Sequence, residues 1–368
     1  MNIVLLNSIL RTAQNNIIPP AESIKDCMIY NLGLGFRELG HNVTLVAASE
    51  YKPVKEEKYE FEVVFLPSVM KKILPPSVLP FQPELWRFLK KNKNKFDIII
   101  SSEVFAFPSL LASIIAPEKT VVWQELAVHN RKMKGIPSHF WYNVMARLFF
   151  RKTPIIARSE SAKIFISRYL KNVAEETVEH GVNLQKFNFS KNKKRQFIVV
   201  SQLIARKNIE SIIEKFSRFI AKPEYADFQL IIAGCGELEN KLKAQVKELN
   251  ITNNVQFIGF KPHSELNILV AESMAMLIDT KQDLNMVSVP ESVVSGTPVL
   301  INLVPYTAVM IEKHQLGIAK TNWNENDLQD IVENNTVYVE NCIAFREKLS
   351  TKSTAEELIK FKLLFLHL

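Results

Sequence analysis

Short apolar, β-branched runs alternate with longer segments of helical spacing from the first residues of the chain onward. Ile3–Leu6, Val43–Ala47, Val63–Leu66, Ile98–Ser101, Thr120–Trp123 and Ile155–Ala157 have the length and side chains of buried strands. Between them, Ala21–Leu39, Glu84–Lys91, Pro108–Ile115, Ser138–Phe150 and Ser161–Leu170 carry helical spacing or helix caps. Such alternation predicts a parallel sheet with helices on both faces.

The pattern pauses at Asn188–Arg195, a polar and basic stretch that reads as a linker. A second series then follows, with strands at Phe197–Ser201, Gln229–Ala233, Val255–Ile258, Ala275–Ile278 and Val299–Ile301. Its helices fall at Ile209–Ile220, Leu238–Leu249, Ser264–Glu272 and Pro290–Val294. The chain is thus expected to be α/β, with two Rossmann-like doubly wound domains, 1–188 and 189–345. Residues 346–368 are expected to form a helix that packs back across both. Two such domains predict a cleft between them, and ligands of such sheets sit beyond the carboxyl ends of the strands.

Length agrees: 368 residues are too many for one ordinary core and suit two. With 47% hydrophobic and 23% charged residues, the composition is that of a soluble globular protein. No apolar run nears the roughly 18 residues a membrane span needs. The start, Met1–Leu6, reads as a strand rather than a secretion signal. Cys27, Cys235 and Cys342 are scattered and odd in number, which argues against a disulfide framework or zinc site and suits a reducing cytoplasm. The net charge of +8 is lopsided: residues 1–190 hold 25 Lys+Arg against 17 Asp+Glu, and the remainder 21 against 21. A basic first half invites a phosphorylated substrate, an anionic membrane or nucleic acid, although solubility alone would also account for it.

The chemistry concentrates in the second half, in a fixed order. Strand Phe197–Ser201 ends in Ser201-Gln202-Leu203-Ile204-Ala205-Arg206-Lys207-Asn208, placing two cations in a loop suited to a diphosphate. Gly234-Cys235-Gly236 follows another strand; its glycines permit close backbone approach to a ligand, and tight strand-to-helix packing would explain them equally well. Val255–Phe260 is a strand ending in a glycine turn. Asp283 and Glu291 then flank the start of a helix that ends at Gly296-Thr297-Pro298-Val299. Glu291 can accept hydrogen bonds from ribose hydroxyls or merely cap the helix dipole, and Asp283 can reach hydroxyls of a sugar.

Taken together, these features resemble the donor domain of glycosyltransferase family 4. The family's Gly-Arg-Leu-x-x-x-Lys-Gly loop matches Ser201–Asn208, its Gly-x-Gly matches Gly234–Gly236, and its two glutamates with seven residues between them match Asp283 and Glu291. Glu179–Phe187 is similar to the Asn-Gly-Val-Asp stretch before the family's linker. The resemblance covers the chain from about Ile155 onward and implies the two-domain architecture called GT-B. It further implies a nucleoside-diphosphate sugar donor, retention of anomeric configuration and no metal; no Asp-x-Asp motif is present. On it, Lys207, Arg206, Glu291 and Asp283 are expected at the reaction centre. Ser201, Gln202, Gly234, Gly236, Phe260, Asn285, Ser288 and Val289 are expected around the donor. Three departures stand out: Gln202 replaces the family's Arg, Asp283 is a methylene shorter than Glu, and Leu284-Asn285-Met286 replaces Gly-Phe-Gly.

In the first half, the family places a histidine after the strand matching Val121–Gln124; Glu125 lies nearer that position and His129 beyond it. Either reaches the acceptor or donor sugar on this reading, and an exposed loop histidine is the plainer alternative. The loop Arg11–Pro20 is a further candidate for acceptor contact. Residues 131–152 hold six Lys or Arg and no acid, interleaved with aromatics. That mixture suits peripheral contact with an anionic membrane or a lipid-linked acceptor, and equally an ordinary helix with core aromatics. Lys71-Lys72-Ile73 extends the same character. No nucleic-acid motif is found. The expected protein is a cytoplasmic glycosyltransferase on the inner face of the cell membrane, building polysaccharide or glycolipid. Its rival is a non-catalytic partner subunit that kept the fold. A nicotinamide dehydrogenase is excluded, since Asn7–Gln14 contains no glycine.

Overall fold

The computed structural model describes residues 1–11, 18, 22–130, 135–282 and 286–366. The chain divides into two compact units, Met1–Asn183 with Ser350–Leu368, and Leu184–Leu349.

The first unit is built on seven strands: β1 (Asn2–Leu6), β2 (Asn42–Ala48), β3 (Glu62–Leu66), β4 (Ile98–Ser102), β5 (Thr120–Gln124), β6 (Ile155–Ala157) and β7 (Val173–Thr177). They lie parallel in the order β3-β2-β1-β4-β5-β6-β7, in a register that sets Leu6 beside Ser101 and Ser102 beside Trp123. The helices are α1 (Met28–Glu38), α2 (Pro83–Asn92), α3 (Phe107–Ile115), α4 (Ile136–Phe140), α5 (Arg147–Phe149) and α6 (Glu160–Ser167). A π-helical stretch, Trp141–Ala146, joins α4 to α5 where the sequence predicted one regular helix. Ile3, Val4, Leu5 and Leu6 of β1 are all buried, because helices cover both faces of a parallel sheet.

The second unit carries β8 (Lys194–Val200), β9 (Gln229–Ala233), β10 (Val255–Gly259), β11 (Ser273–Ile278), β12 (Val299–Ile301) and β13 (Gly317–Ala319), parallel in the order β10-β9-β8-β11-β12-β13. Its helices are α7 (Ile209–Ile220), α8 (Glu239–Glu248), α9 (His263–Glu272), α10 (Ser288–Val294), α11 (Thr307–Lys313), α12 (Glu325–Glu333) and α13 (Asn335–Phe345). α7 buries Ile209, Ile212, Ile213, Phe216, Phe219 and Ile220 against the sheet. Each such side chain contributes roughly 1.5–3 kcal/mol.

The boundaries differ from those read in the sequence. Residues 184–188 and 346–349 belong to the second unit, and Arg346 supplies the reason. Its guanidinium donates to the carbonyl of Val294 at 2.8 Å and to those of Leu184 and Phe187 at 3.1 and 3.2 Å. The predicted continuous C-terminal helix is broken there, and a final helix, Thr351–Leu366, follows. That helix belongs to the first unit rather than spanning both. Ala355, Leu358 and Phe361 join the core of Tyr30 and Phe36, and the buried Lys362 donates to the Glu118 carbonyl. Among the described residues, no helix is long and apolar enough to cross a membrane.

Candidate functional site

In the second unit the strand order reverses between β8 and β11, which is where a doubly wound sheet opens its crevice. The loops leaving those strands are bonded to each other. The Arg206 carbonyl accepts from Lys281 N at 2.7 Å and from Thr280 Oγ1 at 2.9 Å, and Arg206 Nη1 donates to the Gln282 carbonyl at 3.2 Å. Behind them, Asp279 holds Lys215 at 2.6 Å and accepts from Asn208 Nδ2 at 3.3 Å, while the Lys215 ammonium lies 4.1 Å from the centre of the Trp323 ring. Asn208 has φ +52°, the left-handed region in which the family loop carries glycine; asparagine tolerates it and adds the bond to Asp279. Arg206 and Lys207 are thereby half-buried on a braced loop, and Gln202 is exposed.

Gly234 and Gly236 serve this loop. A Cβ on Gly234 would stand 1.8 Å from the Ser201 carbonyl oxygen, and one on Gly236 2.3 Å from that of Leu203. Leu203 N donates to the Cys235 carbonyl, and Leu238 N to the Leu203 carbonyl, each at 3.0 Å. The glycines thus let the β9 loop pack against the backbone of the cation loop, where the sequence suggested approach to a ligand or packing of strand on helix. Phe260, after β10, is 81% exposed.

Glu291 stands in the first turn of α10, half-buried, and burial pushes its carboxyl up to about 7. Among the described residues no charged group offsets that burial, so the group has acceptor capacity to give. Ser288 begins α10 and is half-buried. Val289 is a correction: its side chain is fully buried in the core and its amide donates to the Met286 carbonyl, so it supports the helix rather than facing a ligand. α10 is seven residues long, so few peptide dipoles align at its N-terminus. Asp283 and Asn285 lie outside the described residues.

The first unit gathers charge at the carboxyl ends of β4 to β7. Glu125 Oε2 pairs with Arg158 Nη1 at 2.7 Å, and its Oε1 lies 3.8 Å from His180 Nε2. Arg158 is 3% exposed, donates to Ser102 Oγ at 3.1 Å and lies 3.9 Å from the centre of the Trp123 ring. Glu103 accepts the backbone N–H groups of Glu125 and Leu126 at 2.8 and 3.2 Å. His180 and Arg158 hold the Glu125 carboxyl down at about 2, whereas burial pushes that of Glu103 up to about 7. Burial and Arg158 keep His180 below its ordinary value, so the ring is neutral near pH 7 and Arg158 is the counter-charge.

Glu103 and Arg158 were missed in the sequence, although each directly follows a buried parallel strand, a signal that could have found them. His129 is a correction: its ring nitrogens bond Ser138 Oγ at 3.1 Å and Tyr169 Oη at 2.8 Å, and it stacks on His139. It is a packing residue. In the basic aromatic stretch, 131–134 lie outside the described residues, as do 12–17 and 19–20 of the loop after β1. Trp141, Tyr142 and Phe150 are core, while Ile136, Phe140, Val144, Leu148 and Phe149 are exposed.

Two parallel doubly wound units, with ligand-type loops at the carboxyl ends of their strands, define the GT-B class of glycosyltransferase. Residues 28–186 match the model of Glycosyltransferase Family 4, and residues 183–335 that of Glycosyl transferases group 1. The chain belongs to the family-4 type of glycosyltransferases. It is 24% identical over 190 residues to an alpha-monoglucosyldiacylglycerol synthase of Streptococcus pneumoniae, covering 47% of this chain and 42% of that protein. The chain therefore matches less than half the length of that relative. Among solved structures, a glycosyltransferase from Rickettsia africae superposes with a TM-score of 0.67 at 13% identity, covering 99% of this chain and 98% of that one. HepE from Anabaena in complex with UDP gives 0.62 at 12% identity, covering 98% and 99%.

Proposed function

We propose that the second unit binds a nucleoside-diphosphate sugar and that the chain transfers its sugar, with retention, to a polysaccharide or lipid-linked acceptor handled by the first. The observation that carries this reading is the pair of loops leaving β8 and β11, which are bonded through Arg206 and Thr280. There Arg206 and Lys207 offset the diphosphate, Glu291 accepts from the ribose hydroxyls, and the exposed ring of Phe260 offers a face to the base. As the glycosidic bond breaks, negative charge grows on the leaving diphosphate, and fixed cations stabilise that charge more than the ground state. No metal is required on this reading.

The lipid-linked acceptor is supported by the glycolipid synthase among the relatives and by the surface of α4 and α5. Ile136 is 68% exposed, and Phe140 and Leu148 are each 57% exposed, close in sequence to Arg147, Arg151 and Lys152. Apolar tips flanked by cations suit the interface of an anionic membrane.

The test is a donor panel: purified protein with UDP-, GDP- and dTDP-sugars, scored by thermal stabilisation and by release of free nucleotide. The expected result is stabilisation and turnover with one nucleotide family, both lost in Glu291→Ala. Stabilisation without turnover, with or without acceptor, would favour the non-catalytic partner subunit; no response to any donor would overturn the reading.

A further inference from the structure

Lys207, the cation expected to meet the leaving diphosphate, has a tethered residue on each side of it. On its amino side, the Arg206 carbonyl accepts from Thr280 Oγ1 at 2.9 Å and from Lys281 N at 2.7 Å. On its carboxyl side, Asn208 Nδ2 donates to Asp279 Oδ2 at 3.3 Å. These tethers all come from Asp279, Thr280 and Lys281, which leave β11 beside β8. Ala205–Lys207 is also wound into a 3₁₀ turn, in which Lys207 N donates to the Ile204 carbonyl at 3.0 Å. The backbone of Lys207 is therefore held from both directions by one short segment.

That segment is itself fixed. Asn302 Nδ2, after β12, donates to the Thr280 carbonyl at 2.7 Å. Asp279 is 7% exposed, and its Oδ2 pairs with Lys215 of α7 at 2.6 Å. The Lys215 ammonium lies 4.1 Å from the centre of the Trp323 ring. Trp323 Nε1 in turn donates at 2.9 Å to the carbonyl of Ile278, one residue before Asp279. The contacts close a circuit from Ile278 through Trp323 and Lys215 to Asp279. Fold stability alone does not call for it, since apolar side chains of similar volume often stabilise as well as a buried ion pair or better. What the pair supplies is direction: it holds one carboxylate oxygen where Asn208 can reach it. At φ +52° the family's glycine would serve the backbone equally, but it has no side-chain amide to donate.

Resting on the donor reading above, we propose that Asp279 and Lys215 are positioning residues for Lys207, acting through Asn208. They keep the Lys207 backbone in place, so that its ammonium meets the charge developing on the leaving diphosphate without a loop movement as the bond breaks. A cation displaced by about 1 Å costs the transition state more than the bound ground state, so the loss falls on kcat rather than KM.

The experiment uses the full chain, the UDP-, GDP- or dTDP-sugar that the donor panel selects, and nucleotide release as the readout. Lys215→Met combined with Asp279→Leu removes both charges together and leaves neither buried alone. Its thermal midpoint is expected within a few degrees of the native value, with kcat about 30-fold lower and KM within about threefold. Asn208→Gly keeps the left-handed backbone and the ion pair but cuts the tether, and is expected to lower kcat about tenfold. Repeating each change in Lys207→Ala separates positioning from general loosening: residues that act through Lys207 lower kcat no further there. A folded pair variant with native kcat overturns the proposal, as does a loss repeated in full on the Lys207→Ala background. If the pair variant does not fold, Asn208→Gly carries the same two tests alone. Native protein that binds no nucleotide, or near-native turnover in Lys207→Ala, would instead sink the donor reading beneath it.

Discussion

At the scale of single residues, the sequence motif names candidate groups but is silent on which of them are strained or buried. Glu291 shows this well. Its position in the Asp283–Val299 stretch was legible, but its burial was not, because that depends on chain brought in from elsewhere. A carboxyl raised to about 7 holds its proton more tightly in the folded chain than in the unfolded one. Its stabilising contribution is therefore present below the unfolded value of roughly 4.5 and is lost as pH rises through 7. Ligand binding runs the other way if ribose hydroxyls need the ionised form. Affinity for the nucleotide that the donor panel selects should rise about tenfold from pH 6 to 8, and Glu291→Gln should flatten that rise. A titration series by calorimetry across this window decides it; an unchanged slope in the variant would remove Glu291 from the ribose. Asn208 makes the complementary point. It departs from the family's glycine in chemistry but not in backbone, since both accept a left-handed φ.

Among elements, the long periodic segments were readable and the weak edges were not. β7 buries only Ala174 of its five residues, and β13 is three residues long, so neither carries a strand pattern of its own. Both exist because a neighbouring strand offers unpaired backbone groups. α12 had a signal that went unread: Asn324 and Asp327 form a reciprocal cap. The glycine pair after β9 was legible as a close approach, but only the packing shows that the partner is the Ser201–Leu203 backbone. Gly234→Ala forces a Cβ to 1.8 Å from a carbonyl oxygen at φ +137°, so it should destabilise the second unit by more than about 3 kcal/mol. Chemical denaturation of the variant measures this. A loss below about 1 kcal/mol would mean that the two loops are not packed as described.

For the whole molecule, two α/β units could be read from alternation alone, while the place where the chain leaves one and returns to the other could not. Arg346, which binds residues 184–187 to the second unit, is an unremarkable charge in the sequence. The uneven charge likewise gains meaning only with exposure: Phe140, Val144 and Leu148 face solvent, whereas Trp141 and Tyr142 do not. If that face meets a membrane, the protein should sediment with vesicles containing phosphatidylglycerol and not with pure phosphatidylcholine. Phe140→Ser with Leu148→Ser should weaken binding by roughly tenfold or more. Equal sedimentation with both vesicle types, or no effect of the double variant, would remove the membrane from the account.

The central claim is that the loop of Arg206 and Lys207 holds the leaving diphosphate. The most direct measurement is nucleotide release by Lys207→Ala beside its thermal midpoint. Lys207 is half-buried on a loop braced by other residues, so its removal should leave the midpoint within a few degrees of the native value. Release should fall by about 100-fold or more. A folded variant with near-native turnover would contradict the claim outright.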